Sequence, residues 1–111
     1  MIKKTKSIYA RKFDNSSPSW TNDGKYNEAF LKNLQDFYNR LLRARGYVFL
    51  RDIYEELGIP IDSKSIVVGW FYDSGNVFSD NYIDFSIERI GDEPNFYLDF
   101  NVDGNIIDHF D

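Results

Sequence analysis

The sequence predicts an α+β fold: an N-terminal amphipathic helix and a short second helix packed on an antiparallel three- to four-stranded meander. Three observations carry this. Apolar residues between positions 26 and 42 recur at spacings of three and four, the period of a helix with one buried face. Beyond residue 65 apolar and polar residues alternate, the period of half-buried strands, with turn signals at Asp73-Ser74-Gly75-Asn76 and Gly91-Asp92-Glu93-Pro94. Finally, 111 residues that are 42% apolar and 18% aromatic suffice for one core and leave no room for a second.

Residues 1–24 read as a basic arm, rich in turn formers at Asn15-Ser16-Ser17-Pro18-Ser19, with Ile8, Tyr9, Phe13 and Trp20 available to dock on the domain or on a neighbour. Residues 25–111 form the domain. Asn22 or Asp23 caps a helix from about Lys25 to Ala44. Tyr26, Phe30, Leu34, Phe37 and Leu41 form its apolar stripe, widened by Leu31, Tyr38 and Leu42. Arg43 and Arg45 complement the C-terminal dipole, and Gly46 stops the helix. Leu50, Ile53, Tyr54 and Leu57 predict the second helix, ended by Gly58 and Pro60. Ser65–Tyr72, Tyr82–Arg89 and Phe96–Val102 predict strands, and Asp103-Gly104 predicts a hairpin returning through 105–110. Ile106 and Ile107 compete for the inward position of that return.

Charge divides the chain. Residues 1–50 hold ten Lys/Arg against four Asp/Glu, a net of +6; residues 51–111 hold three against fourteen, a net of −11. Such asymmetry suits an electrostatically guided partner, or two halves that neutralise each other on folding. Without cysteine there is neither a disulfide framework nor a thiolate zinc site. No signal-peptide pattern and no apolar run of membrane-spanning length is present, so no membrane association is expected, and the expected location is the cytoplasm or a virion.

Motifs for chemistry are weak. Asp99-Phe100-Asn101-Val102-Asp103-Gly104 matches the opening of a calcium loop, but Phe110 stands where the closing carboxylate belongs. Asp62-Ser63-Lys64 lacks the second carboxylate a metal-dependent nuclease needs. Residues 52–68 mimic a helix-turn-helix whose recognition helix would offer only Lys64 to DNA. His109 is the only histidine, and no nucleotide-binding glycine motif occurs. No catalytic residues, cofactor or metal are therefore expected.

The block Arg45-Gly46-Tyr47-Val48-Phe49-Leu50-Arg51-Asp52-Ile53-Tyr54-Glu55-Glu56-Leu57-Gly58 resembles a pattern in a family of uncharacterised small proteins of phages and prophages from low-GC Gram-positive bacteria. Val67-Val68-Gly69-Trp70, Asp80–Phe85 and Leu98–Gly104 resemble it in the same order, so the likeness spans roughly residues 45–107. It implies a mobile-element context and brings no catalytic set.

Two functional expectations follow. The first is a non-enzymatic interaction protein, an accessory inhibitor of a host protein or a minor virion component. It would bind a host or phage protein, or a second copy of itself, through Tyr82, Asp84, Glu88, Tyr97 and Asp99 on one polar face, with Tyr9, Phe13 and Trp20 from the arm. The second is a nucleic-acid-binding accessory protein using Lys3, Lys4, Lys6, Lys12, Arg40, Arg43 and Arg45.

Overall fold

The computed structural model describes residues 7–75 and 80–107. Strand β1 spans Arg11–Phe13, helix α1 Gly24–Arg45, strand β2 Tyr47–Phe49 and helix α2 Leu50–Leu57. Strands β3 (Val68–Phe71), β4 (Glu88–Arg89), β5 (Phe96–Leu98) and β6 (Gly104–Asn105) follow. The expected α+β fold with two helices and antiparallel strands holds. The strands divide between two three-stranded sheets, ordered β1-β5-β4 and β2-β3-β6.

Helix α1 starts where Asp23 accepts the backbone N–H groups of Lys25 (3.0 Å) and Tyr26 (3.3 Å), and stops at left-handed Gly46. Its buried centre is Leu31, Tyr38 and Leu42, the expected flank of the stripe; Phe30, Leu34 and Leu41 are only partly covered, and Tyr26 and Phe37 are exposed. The stripe is rotated because Asn27, buried on the core side, has every side-chain hydrogen bond met. Its Oδ1 accepts from Thr21 N and Oγ1, and its Nδ2 donates to the carbonyls of Thr21 and Pro94. A buried amide is tolerated when it is satisfied in this way. Helix α2 forms over the expected residues.

Residues 7–24 lie against the domain. Phe13 is fully buried and stacks on Phe30 with ring centroids 5.9 Å apart, while β1 pairs with β5 in the register Arg11↔Leu98, Lys12↔Tyr97, Phe13↔Phe96. Tyr54 donates its hydroxyl proton to the carbonyl of Tyr9 at 2.6 Å, and the Arg11 guanidinium lies over its ring. Residues 1–6, with Lys3, Lys4 and Lys6, lie outside the described residues, as do His109 and Phe110.

Two strand expectations need correction. Asp103-Gly104 does not form a hairpin: Gly104 and Asn105 pair with Gly69 and Val68 of β3, so the chain passes from one sheet to the other. Ile106 is buried and Ile107 exposed, which settles the competition between them. Residues 82–87 keep the predicted alternation, with Ile83 and Phe85 buried, yet only Glu88–Arg89 enters a ladder. Amide side chains replace the missing strand neighbour. Asn39 on α1 accepts from Ile83 N (2.7 Å) and donates to Ile83 O (2.8 Å), and Gln35 accepts from Phe85 N (2.8 Å). From the other side Asn101 accepts from Asp84 N (2.7 Å) and donates to Tyr82 O (3.1 Å).

The core carries a pH signature. Burial pushes the Tyr54 hydroxyl up to about 12, partly opposed by the Arg11 charge. Tyr38 is likewise raised to about 12, first by burial and then by the Glu56 carboxylate. An ionised phenol is thus favoured in the unfolded chain, so stability is retained below pH 10 and lost as pH rises from 10 towards 12. Alkaline denaturation monitored by circular dichroism should show this fall, and Tyr54→Phe should make it shallower. An equally steep fall in Tyr54→Phe would show that Tyr54 is not a source of it.

Candidate functional site

The amide clamp sets α1 and the segment 82–85 side by side and leaves a groove between them. Gln35, Asp36, Asn39, Arg40 and Arg43 of α1 line one wall and Tyr82, Ile83 and Asp84 the other, around about 520 Å³. The α1 residues lie on successive turns, so the groove follows the helix axis. The opposite wall runs antiparallel, because Phe85 is tied to Gln35 and Ile83 to Asn39.

The two walls bring together residues from both sequence expectations. Tyr82 is 50% exposed, and Asp84 is half-buried with one carboxylate oxygen accepting Ser86 N at 2.8 Å. Arg40 and Arg43 are exposed on consecutive turns, and among the described residues neither guanidinium has a hydrogen-bond or ion-pair partner. Asp36, exposed one turn before Arg40 on the helix, is equally unpaired among the described residues. Gln35, Asp36 and Asn39 are the residues sequence reasoning missed. Their signal was the pair of amides four residues apart on the edge of the apolar stripe, a spacing that puts both on one helix face.

The other expected site residues lie elsewhere. Lys12, Tyr97 and Glu88 stand in one row across the first sheet, by the registers Lys12↔Tyr97 and Glu88↔Tyr97. Asp99 accepts from the N–H of Ser7 at 2.9 Å and from its hydroxyl. The single polar face read from the alternation is therefore divided: Tyr82 and Asp84 line the groove, whereas Glu88 and Tyr97 belong to the sheet. Left-handed Ser86 (φ 49°) interrupts the segment between them. Phe13 is inside the core, Tyr9 packs against it, and Trp20 is half-buried with its indole N–H on Asn95 Oδ1 at 3.0 Å. Arg45 stacks on Tyr47 (4.3 Å to the ring centroid), donates to the Tyr47 carbonyl and pairs with Asp52 at 3.6 Å.

The calcium-like letters serve the backbone. Asp99 holds Ser7, Asp103 accepts Phe71 N at 3.0 Å, and Asn101 holds Trp70 and Asp84. Among the described residues no group of three or more acidic, histidine or cysteine side chains is placed to hold a metal ion. Nor is any helix among them long and apolar enough to cross a membrane.

No curated protein and no solved structure matches the chain. A family model does match it, over residues 1–110, which takes in both helices, both sheets and the whole groove. The chain belongs to the family of unknown function DUF6353.

Proposed function

We propose that this chain is a non-enzymatic interaction protein whose groove between α1 and residues 82–84 docks a partner protein. The observation that carries this reading is the meeting of exposed Tyr82 with Arg40 and Arg43, two guanidiniums without a partner of their own. Tyrosine and arginine dominate the energetics of protein interfaces, because each offers a large, partly rigid body with a directed polar end. Asp36 and Asp84 in the same walls favour a protein surface over nucleic acid. A phosphate chain drawn in by the arginines would be repelled by both carboxylates, whereas a protein can meet both signs of charge.

The likeness of residues 45–107 to phage and prophage proteins supports a mobile-element setting, with the partner a host or phage protein met in the host cytoplasm or in the virion. Nucleic-acid binding is the competing reading. Of its residues, Arg40 and Arg43 are unpaired, Lys12 lies on the first sheet and Arg45 is bound within its own domain.

Affinity capture from nuclease-treated host lysate, repeated over a salt series, separates the two. The expected result is one protein retained by the wild type at moderate salt and lost from a Tyr82→Ala/Arg43→Ala variant that still folds. Recovery of nucleic acid alone, with affinity falling steeply as salt rises, would overturn the docking reading.

A further inference from the structure

Polar side chains predominate in the groove, and its charges are sorted along its length. Phe85 is tied to Gln35 and Ile83 to Asn39, so Asp84 lies level with the stretch of helix between residues 35 and 39 that carries Asp36, and both line the groove. The chain then runs back so that Tyr82 continues towards Arg40 and Arg43. One end of the groove thus carries two carboxylates, and the other two guanidiniums and a phenol. Eight helical steps from Gln35 to Arg43 make it about 12 Å long.

We infer that the groove accepts an extended segment of a partner protein carrying a basic side chain at one end and an acidic one two or three residues away. This rests on the docking reading above and specifies its ligand. Asp36 lies one to two helical turns from Arg40 and Arg43, about 6 to 10 Å along the axis, and extended chain covers that distance in two or three residues. The acidic side chain lies between the two guanidiniums, whose N–H forks suit carboxylate oxygens, with the Tyr82 hydroxyl as a further donor. The basic side chain lies between Asp36 and Asp84. A segment of one sign meets repulsion at one end whichever way it enters, and this makes the groove selective as well as attractive. Exposed ion pairs are individually weak, so discrimination comes from the order of charge rather than from any single contact.

The test uses the full chain, ¹⁵N-labelled, titrated with blocked tetrapeptides: Lys-Ala-Ala-Glu, Glu-Ala-Ala-Lys, Lys-Ala-Ala-Lys and Glu-Ala-Ala-Glu. At least one mixed-charge peptide should shift the amides of residues 35–43 and 82–84, and bind at least about fivefold more tightly than either single-sign peptide. That preference should disappear in Asp36→Asn/Arg43→Gln, two exposed substitutions whose spectrum reports that the fold is intact. Equal binding of a single-sign peptide, shifts located elsewhere, or no shift up to roughly 10 mM would each overturn the inference. If the preference is absent while a captured protein still depends on Tyr82 and Arg43, the charge-order inference fails and the docking reading stands. If neither is seen, both fail.

Discussion

Gly69→Ala is expected to destabilise the protein by more than about 3 kcal/mol, the cost of forcing two backbones apart in a packed sheet. Gly69 lies opposite Phe49 in the β2–β3 ladder and opposite Gly104 in the β3–β6 ladder, on the central strand of its sheet. A methyl group there would fall well inside contact distance of the Val48 carbonyl oxygen, 2.9 Å from Phe49 Cα and 3.0 Å from the Val48 carbonyl carbon. All three are backbone atoms, so relief requires the strands to separate. Separation would draw the neighbouring, fully buried Trp70 out of the core. Gly24→Ala is the control: the atoms nearest its methyl would be those at the far end of the flexible Arg89 side chain, and alanine is the better helix former. Urea titration followed by tryptophan fluorescence should give a much lower midpoint for Gly69→Ala and a change within about 1 kcal/mol for Gly24→Ala. An unchanged midpoint for Gly69→Ala would show that the two strands are not this close.

Asn101→Ala is expected to cost about 3 kcal/mol and to loosen the groove. The Asn101 amide has one orientation, because the Trp70 indole (2.9 Å) and the Asp84 amide (2.7 Å) can only donate, so the oxygen must face both. Its NH₂ then donates to Asp80 Oδ2 (3.0 Å) and the Tyr82 carbonyl (3.1 Å). Alanine leaves two donors without an acceptor, one of them on a buried indole, and such orphaned donors are costlier than the bonds are stabilising. Faster hydrogen exchange at the Asp84 amide should accompany the loss of stability, since that amide reports the wall of the groove. Asn101→Asp keeps the acceptor, loses the donor and sets a second carboxylate against Asp80. It should therefore also be destabilised at neutral pH. A midpoint and an exchange rate like those of the wild type would remove Asn101 from its central role.

Local pattern carried much of this fold into view and failed where distant residues decide. The 3.6-residue period and the Asp23 and Gly46 signals placed α1 within a residue or so at either end, and the short period of Leu50, Ile53, Tyr54 and Leu57 placed α2. Which flank of α1 turns inward depended on Asn27, and that depended on Thr21 and Pro94, the latter 67 positions away. Residues 82–87 alternate like a strand because their side chains do face alternately inward and outward. Their backbone partners, however, are side-chain amides at positions 35, 39 and 101 and the backbone N–H groups of Asp99 and Asn101; the spacing of Gln35 and Asn39 puts both on one helix face but does not say which segment they hold. Asp103-Gly104 is a sound hairpin signal in isolation, overruled here by the free edge of β3. The groove followed the same rule. Tyr82, Asp84, Arg40 and Arg43 are each visible in the sequence as exposed polar or aromatic positions, but local pattern places the first two on a sheet face and the last two on a helix, with nothing to join them. Only the amide clamp shows that they form one surface.

The most direct measurement replaces Tyr82 with a photoreactive phenylalanine analogue and irradiates the protein in cells that express it, with the same analogue at exposed Tyr26 as reference. Docking in the groove predicts one protein adduct of defined mass from position 82, absent from position 26 and lost on Arg43→Glu. No adduct at position 82, adducts of equal yield at both positions, or adducts only to nucleic acid would contradict the groove as the functional surface.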